Sequence, residues 1–260
     1  MVIRLSSPRA WLGLVAAALG LLLSIATAGA AQPPASILIW PVDPVIPADT
    51  RAATLWLENS GKAPVTLQVR IFAWAQTEAG NVYAPQDGVI GTPPLVTIQP
   101  GQKQLVRLTR TVPPPVSGEA AYRVIVDEIP TREAPAAAGA AVNFRMRYSL
   151  PLFVRGPDIA AGAKQARSAQ PAPRLEWRVG TDAKGRFLEV RNRGAIHARL
   201  VDVAFAGDDE KRIPITPGLL GYVLPASTTR WPLTADLPAS GDLVASINGA
   251  EQQIVARLSE

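Results

Sequence analysis

The chain has 260 residues and a formal net charge of +5, from 26 lysines and arginines against 21 aspartates and glutamates. This excess is small and dispersed, and no run of aromatic and basic residues accompanies it, which argues against nucleic acid as a partner. The lack of cysteine excludes disulfides, and a single histidine excludes a catalytic or metal site built on several histidines.

Residues 1–31 have the organisation of a secretory signal peptide. Two arginines precede an uncharged apolar run at residues 11–25, and Ala28 and Ala30 give the A-x-A pattern of a cleavage site. The run is shorter than the roughly 20 residues of a membrane-spanning helix, so a retained anchor is the less favoured alternative. We predict cleavage after Ala30 or Ala31 and export of a chain without membrane insertion. About 230 residues then remain, which suits two domains.

Short segments of alternating apolar and polar residues follow, separated by turn sequences. Asn59-Ser60-Gly61-Lys62 and Pro100-Gly101 are typical turns, the second of type II. About seven strands at regular spacing predict an antiparallel β-sandwich, which we place at residues 32–157. The predicted strands span residues 36–39, 52–58, 65–74, 95–98, 104–109, 122–129 and 142–155.

The strand predicted at residues 142–155 is about twice as long as the usual strand of five or six residues. Apolar side chains occupy every second position from Val142 to Leu152, as in a half-buried strand. The pattern alone favours a long edge or hinge strand whose apolar face covers its own domain. The alternative is that its N-terminal half offers this face to another protein by strand addition.

A loop of small residues is predicted at residues 130–141. After Gly156-Pro157, residues 158–173 are rich in Ala, Gly and Pro, which predicts a linker between two domains. Alternating segments then predict a second all-β domain at residues 174–260, with a hairpin turn at Asn248-Gly249. Its predicted strands span residues 174–179, 186–191, 198–205, 211–215, 221–224, 229–232, 243–247 and 253–258.

The sequence shows no group of side chains with the spacing of a catalytic or metal site. His197 lies between two predicted strands, which favours a structural or surface role. The serines lack a G-x-S-x-G motif, no glycine-rich phosphate loop is present, and the carboxylates lack ligand spacing. We predict that the protein is not an enzyme and has no catalytic residue, cofactor or metal ion.

Several short motifs resemble, in order and spacing, those of the PapD-like periplasmic pilus chaperones. They are Thr92-Pro93-Pro94, Pro100-Gly101 followed by Val106-Arg107-Leu108, Glu128-Ile129-Pro130, the sequence LFVR at residues 152–155, and the element from Asn192 to His197. The resemblance extends over essentially the whole mature chain. The sequence SLPLFVR, which ends at residue 155, resembles the archaic, or sigma, branch, whose pili include the Csu and spore-coat-U-like types.

The resemblance implies an all-β periplasmic protein of two immunoglobulin-like β-sandwich domains in an L-shaped arrangement. It implies a chaperone that donates its seventh strand, here residues 142–155, to a pilus subunit that lacks a final strand. The implied partners are spore-coat-U-like pilus subunits and an outer-membrane usher that receives them. The expected donor side chains are Val142, Phe144, Met146 and Tyr148.

The family also has a buried ion-pair network between its two domains. By resemblance its positions fall on Glu119 and Arg155, with an aspartate of the second domain that we assign to Asp236 or, with less support, to Asp242. A buried charge network fixes orientation more convincingly than it adds stability. We therefore expect these residues to set the relative orientation of the two domains.

The chain departs from the family at the site where better-known members bind the subunit's terminal carboxylate with an arginine and a lysine. The arginine position lies near Asp43 and the lysine position is Pro151, and neither side chain binds a carboxylate in that way. If Glu119 lies opposite Arg155 in an antiparallel pair, then Arg123 lies opposite Pro151.

The same register places Arg147 opposite Asp127, whose carboxylate partly neutralises it. We therefore predict that Arg123 receives the terminal carboxylate as a bidentate fork. Lys164 or Arg167, just after the predicted hinge, is a second candidate donor.

Other classes of protein remain as alternatives. One is an exported two-domain adhesive or structural protein that binds a partner without acting as a chaperone. Another is a carbohydrate-binding or lipoprotein-like module, although the chain has no cysteine for lipid attachment. Genes for an usher and for spore-coat-U-like subunits beside this one would distinguish the chaperone from these alternatives.

Overall fold

The computed structural model describes residues 37–78, 80–130, 145–159, 172–207, 212–235, 237, 241–250 and 253–257. The predicted signal peptide, nearly all of the loop at 130–141 and most of the predicted linker lie outside these residues. The regular secondary structure of the described chain is almost entirely β-strand, which confirms the predicted all-β class. No helix within it is long and apolar enough to cross a membrane.

Ten strands make up the N-terminal part of the described chain. They are β1 (Ile37–Trp40), β2 (Val45–Ile46), β3 (Ala52–Asn59), β4 (Val65–Thr77), β5 (Gly80–Ala84), β6 (Val89–Thr92), β7 (Leu95–Ile98), β8 (Lys103–Arg110), β9 (Glu119–Ile129) and β10 (Arg147–Arg155). One sheet has the order β1-β3-β8-β6. The other has the order β2-β10-β9-β4-β5, and β7 also pairs with β4.

These two sheets enclose one hydrophobic core. Leu55 and Leu108 from one sheet and Leu67, Val124 and Leu152 from the other are fully buried in it. Every second side chain of a strand points to the same face, so the alternation seen in the sequence supplies this core. Each such side chain contributes about 1.5–3 kcal/mol on burial. Packing of this kind is what stabilises a chain that has no disulfide.

Seven further strands form the C-terminal part. They are β11 (Leu175–Asp182), β12 (Gly185–Asn192), β13 (Ala198–Ala206), β14 (Arg212–Val223), β15 (Thr228–Pro232), β16 (Asp242–Ile247) and β17 (Gln253–Arg257), in the sheet order β14-β13-β16-β17-β11-β12-β15. Buried side chains of β11 and β12 share a core with those of β13, β14 and β16, and Trp177 is the largest of them. The sheet therefore folds over on itself into a second sandwich.

The fold differs from the predicted strands in their number and in their bounds. The short strands β2, β5 and β6 are additional. The two strands predicted at 211–215 and 221–224 are one strand, β14. Its pairing with β13 shifts register between residues 200 and 204. Asp202 has a φ of 52° there and accepts a hydrogen bond from the backbone N–H of Gly218 at 2.7 Å. The gap between the two predicted strands therefore corresponds to β-bulges within one strand.

The hairpin turn predicted at Asn248-Gly249 is present between β16 and β17. Both residues have positive φ, 53° and 79°, as a two-residue turn of type I′ requires. The side chain of Asn248 is bonded to strand β13, where its oxygen accepts from the backbone N–H of Arg199 at 2.7 Å. The turn is thereby linked to Arg199, whose Nη1 lies 4.0 Å from Oδ2 of Asp43 in the first sandwich.

Candidate functional site

Strand β10 is paired along one edge and open along most of the other. All nine of its residues pair antiparallel with β9. On the second edge, β2 pairs in parallel with Phe153 and Val154 only. Within the described residues, no strand pairs with this second edge from residue 147 to residue 152. Such an edge presents backbone donors and acceptors to an added strand.

The register between β9 and β10 is the predicted one. It pairs Arg155 with Glu119, Pro151 with Arg123, and Arg147 with Asp127. The strand begins later than predicted, at Arg147. Arg145 and Met146 are described, but they belong to no strand. Backbone pairing nevertheless reaches Met146, whose carbonyl accepts from the N–H of Glu128 at 3.1 Å. Val142 and Phe144 lie outside the described residues.

Burial along β10 increases toward its C-terminal end. Leu152 and Val154 point into the core of the first sandwich, and Phe153 is fully buried on the opposite face. Tyr148 packs partly against that core, where burial raises the pKa of its hydroxyl. Met146 is 43% exposed. Of the two described donor candidates, Met146 is therefore at the surface. Tyr148 lies at the position from which the side chains of β10 begin to pack into the core of the first sandwich.

Asp127 is bonded to two arginines beside β10. Its carboxylate accepts from Nε of Arg147 at 2.5 Å and from Nη2 of Arg70 at 2.6 Å. Burial alone would raise the pKa of this carboxyl, but the two guanidinium groups outweigh it and hold the pKa below its ordinary value. Arg147 is thus matched by a carboxylate, as the register predicts.

Arg123 has a different environment, and it does not point to solvent. The residue is 8% exposed, and its guanidinium carbon lies 3.9 Å from the ring centroid of Trp74. The rings of Tyr83 and Tyr222 lie 5.8 Å away. Among the described residues it forms no ion pair within 4.0 Å, and its buried Nε has no hydrogen-bond partner. This cation is surrounded by aromatic rings and remains unneutralised by the described carboxylates.

Glu119 is bonded across to the second sandwich. Its Oε1 accepts from the backbone N–H of His197 at 2.6 Å and lies 2.7 Å from Nδ1 of the same residue. A carboxylate only accepts, so Nδ1 is the donor in this contact when Glu119 is ionised. The ring of His197 stacks on Phe153, with centroids 3.6 Å apart. His197, for which the sequence suggested a structural or surface role, is a buried contact between the two sandwiches.

The predicted ion pair between Glu119 and Arg155 is not formed among the described residues. The two residues are opposite in register, but the carboxylate is bonded to His197, and Nε of Arg155 is buried without a partner. Asp236 lies outside the described residues, and Asp242 is exposed at the start of β16. The described side chains thus place a histidine where the resemblance implied an arginine.

The loop that presents His197 is fixed by a buried asparagine. Nδ2 of Asn192 donates to the carbonyls of Ile196 and Val223, at 2.8 and 3.1 Å, and its Oδ1 accepts from the N–H of Gly194 at 2.8 Å. A Cβ on Gly194 would lie 2.6 Å from the backbone nitrogen of Arg174, so the position requires glycine. This geometry accounts for the motif from Asn192 to His197.

A small apolar cluster and one glutamine complete the contact between the sandwiches. Trp74 and Phe153 pack with Leu224 of the second sandwich. Nε2 of Gln76 donates to the carbonyl of Tyr222 at 2.8 Å, and Oε1 of Gln76 accepts from the N–H of Leu224 at 2.8 Å. Sequence patterns indicate neither Gln76 nor Tyr222. Within the described chain, no three metal-binding side chains lie together.

Residues 40–160 match the family described as pili and flagellar-assembly chaperone, PapD N-terminal domain. No curated protein matches the chain. The chain is 31% identical, with a TM-score of 0.69, to a chain of the CsuC–CsuE chaperone–tip adhesion subunit complex from the archaic chaperone-usher Csu pili of Acinetobacter baumannii. The match covers 86% of this chain and 100% of that one.

Two more distant structures share the fold. The Pseudomonas aeruginosa CupB2 chaperone is 19% identical with a TM-score of 0.57, over 85% of this chain and 100% of that one. A chain of the Salmonella enterica complex of SafA pilin with the SafB chaperone is 20% identical with a TM-score of 0.58, over 86% of this chain and 95% of that one.

Proposed function

Because the chain belongs to the PapD-like family of pilus and flagellar-assembly chaperones, we propose that it completes pilus subunits in the periplasm with the strand at residues 142–155 and delivers them to an outer-membrane usher. The open edge of β10 is the observation that carries this proposal. The proposed subunits are spore-coat-U-like, since the 31% identical relative belongs to archaic pili.

The physical need for such a chaperone follows from the proposed partner. A subunit that lacks a strand exposes an unpaired sheet edge and a hydrophobic groove, which is an aggregation hazard. An added strand satisfies both, because its backbone pairs with the edge and its alternate side chains fill the groove. The free edge of β10 from residue 147 to residue 152 offers the backbone groups.

The donor side chains are Val142, Phe144 and Met146, with Tyr148 at the end of the donor segment. Support comes from the 43% exposure of Met146 and from the alternation that continues upstream of it. Each apolar side chain contributes about 1.5–3 kcal/mol when it enters a groove, before ordering costs. Methionine adapts to grooves of different shape, which suits a chaperone that serves several subunits.

Arg123 binds the subunit's terminal carboxylate in this proposal, with Lys164 as a second donor. The guanidinium lacks an ion pair among the described residues and lies opposite Pro151, where the family has its lysine. A carboxylate that reaches it forms charge-assisted hydrogen bonds. Lys164 is proposed as a donor from its position in the sequence alone.

Two sandwich domains, at residues 32–157 and 174–260, are joined by a linker at 158–173. The two separate cores support this division. Glu119 orients the domains through its bonds to His197, and Arg155 with Asp236 belongs to the same proposed network. The relative orientation of the two domains matters because it fixes the position of the buried C-terminal end of the donor strand.

Co-expression with a spore-coat-U-like subunit tests the proposal. A Phe144→Asp, Met146→Asp variant places two charges on the donor face, so recovery of the subunit with the chaperone falls to background while the chaperone stays folded. Leu219→Asp is the control, because it places a charge on an exposed apolar side chain of the second sandwich, 54% exposed on β14, outside the donor strand. Recovery of the subunit by the double variant at the wild-type level would refute strand donation.

A further inference from the structure

We infer that the second sandwich completes the carboxylate site, with Tyr222 of β14 as the positioning residue that holds Arg123. This inference rests on the proposed function and extends it. Arg123 of the first sandwich supplies the cation. The ring of Tyr222 from the second sandwich fixes the direction of its guanidinium group. The site for the subunit's terminus is then complete only when the two sandwiches are in contact.

Three rings surround the guanidinium, and one of them comes from the other sandwich. Trp74 of β4 is at 3.9 Å and Tyr83 of β5 at 5.8 Å, while Tyr222 is also at 5.8 Å. Tyr222 meets the edge of Trp74 with centroids 5.6 Å apart at 80°. The ring contacts therefore join Tyr222 and Arg123 both directly and through Trp74.

Aromatic rings hold a cation without cancelling its charge. Arg147 and Arg70 share the carboxylate of Asp127, so each already has an anionic partner. Arg123 is held by ring faces instead, which leaves its donors available to an anion. Arg123 is 8% exposed, and its buried Nε has no hydrogen-bond partner. Buried donors are normally paired, so this one is suited to an acceptor on a ligand.

Tyr222 is itself positioned by the first sandwich. Its carbonyl accepts from Gln76 at 2.8 Å, which ties the backbone of β14 to β4. Its hydroxyl interacts with Arg199, whose Nη1 lies 4.0 Å from Oδ2 of Asp43. Burial raises the pKa of this hydroxyl. The bond from Gln76 to the backbone of Tyr222 thus keeps the ring against Arg123.

The test compares two forms of one subunit, each co-expressed with the full chaperone chain. One form has its native C-terminus, and the other carries two additional glycines, which move the carboxylate out of register. The wild-type chaperone recovers the native form about 10- to 100-fold better, the range for hydrogen bonds to a charged group. Arg123→Gln removes this preference.

Variants of Tyr222 decide the inference. Tyr222→Leu lowers recovery of the native form to the level of the extended form, which strand donation alone supports, whereas Tyr222→Phe keeps the preference, because the ring alone holds the cation. A preference in Tyr222→Leu equal to that of the wild type would overturn the inference. If that variant does not fold, Gln76→Ala replaces it, since it releases the backbone of Tyr222 without changing the ring, and the same loss is expected.

Failure of the proposed function is distinguishable from failure of this inference. A wild-type chaperone that recovers neither form of the subunit refutes the proposed function and this inference with it. Equal recovery of both forms by the wild type refutes the carboxylate site but leaves strand donation in place.

Discussion

The imidazole of His197 lies flat on the ring of Phe153, with centroids 3.6 Å apart and planes at 4°. Phe153 belongs to β10, and His197 lies in the loop before β13 of the second sandwich. The same residue holds Glu119 by two contacts of 2.6 and 2.7 Å. The buried end of the proposed donor strand is therefore attached to the second sandwich by a stack and by hydrogen bonds.

Replacing His197 by alanine lowers the free energy of unfolding. The variant loses the stacked ring and one donor to a buried carboxylate, which together cost about 2–4 kcal/mol. Urea denaturation followed by tryptophan fluorescence measures the loss. Arg193→Ala is the control, because Arg193 forms an exposed ion pair with Glu176 and its loss costs at most about 1 kcal/mol. A cost for His197→Ala no larger than that of the control would show that the contact does not hold the sandwiches together.

Glu119 couples to His197 more strongly than to Arg155. Two double-mutant cycles test this, one from Glu119→Gln with His197→Asn and the other from Glu119→Gln with Arg155→Met. Residues in direct contact show coupling energies of about 0.5–3 kcal/mol, and we expect the first cycle to fall in this range and the second below it. The expectation follows because Glu119 is bonded to His197 and forms no described ion pair with Arg155. A coupling of Glu119 to Arg155 larger than its coupling to His197 would contradict this expectation and support the ion pair that the family resemblance implies.

The sequence predicts those features of the fold that depend on neighbours in the chain. Alternation along β3 places Leu55 and Leu57 in the core, and an Asn-Gly pair closes the hairpin at residue 248. The register of β9 with β10 follows once Glu119 is assumed, from the family resemblance, to lie opposite Arg155, because one pair fixes all the others in an antiparallel ladder.

Contacts between the sandwiches are not predictable in this way. Gln76 and Tyr222 are separated by 146 positions and Glu119 and His197 by 78, and no periodicity relates such residues. Arg123 is a related case. Its register is predicted, but the aromatic rings around it come from β4, β5 and β14, so its burial depends on how the sheets and sandwiches pack.

Acid destabilises the protein partly through Asp127. Burial raises the pKa of this carboxyl, but Arg147 and Arg70 more than compensate, so the pKa in the folded state is below that of the unfolded chain. The resulting stability is fully present above the ordinary aspartate range near about 3.9 and is lost as pH falls through the lowered pKa.

Asp127→Asn provides the measurement. The variant is less stable than the wild type at pH 7, by about 1 kcal/mol or less since both arginines are largely exposed, and the difference shrinks as pH falls from about 5 to 2. Denaturant midpoints across this range record the trend. A difference that stays constant with pH would show that ionisation of Asp127 does not contribute.

Arg123 and Arg147 differ in their effect on subunit capture, although both lie on the pair of strands β9 and β10. Arg147 is 66% exposed in its side chain and bonded to Asp127, so Arg147→Ala removes a surface ion pair and leaves capture near the wild-type level. Arg123→Ala removes an unneutralised cation and lowers recovery of a co-expressed subunit about 10- to 100-fold, as expected for loss of hydrogen bonds to a charged group. Circular dichroism of both variants confirms that the chaperone is folded. Full capture by both variants would exclude a carboxylate anchor on these two strands, and a defect confined to Arg147→Ala would place the anchor at the open edge of β10.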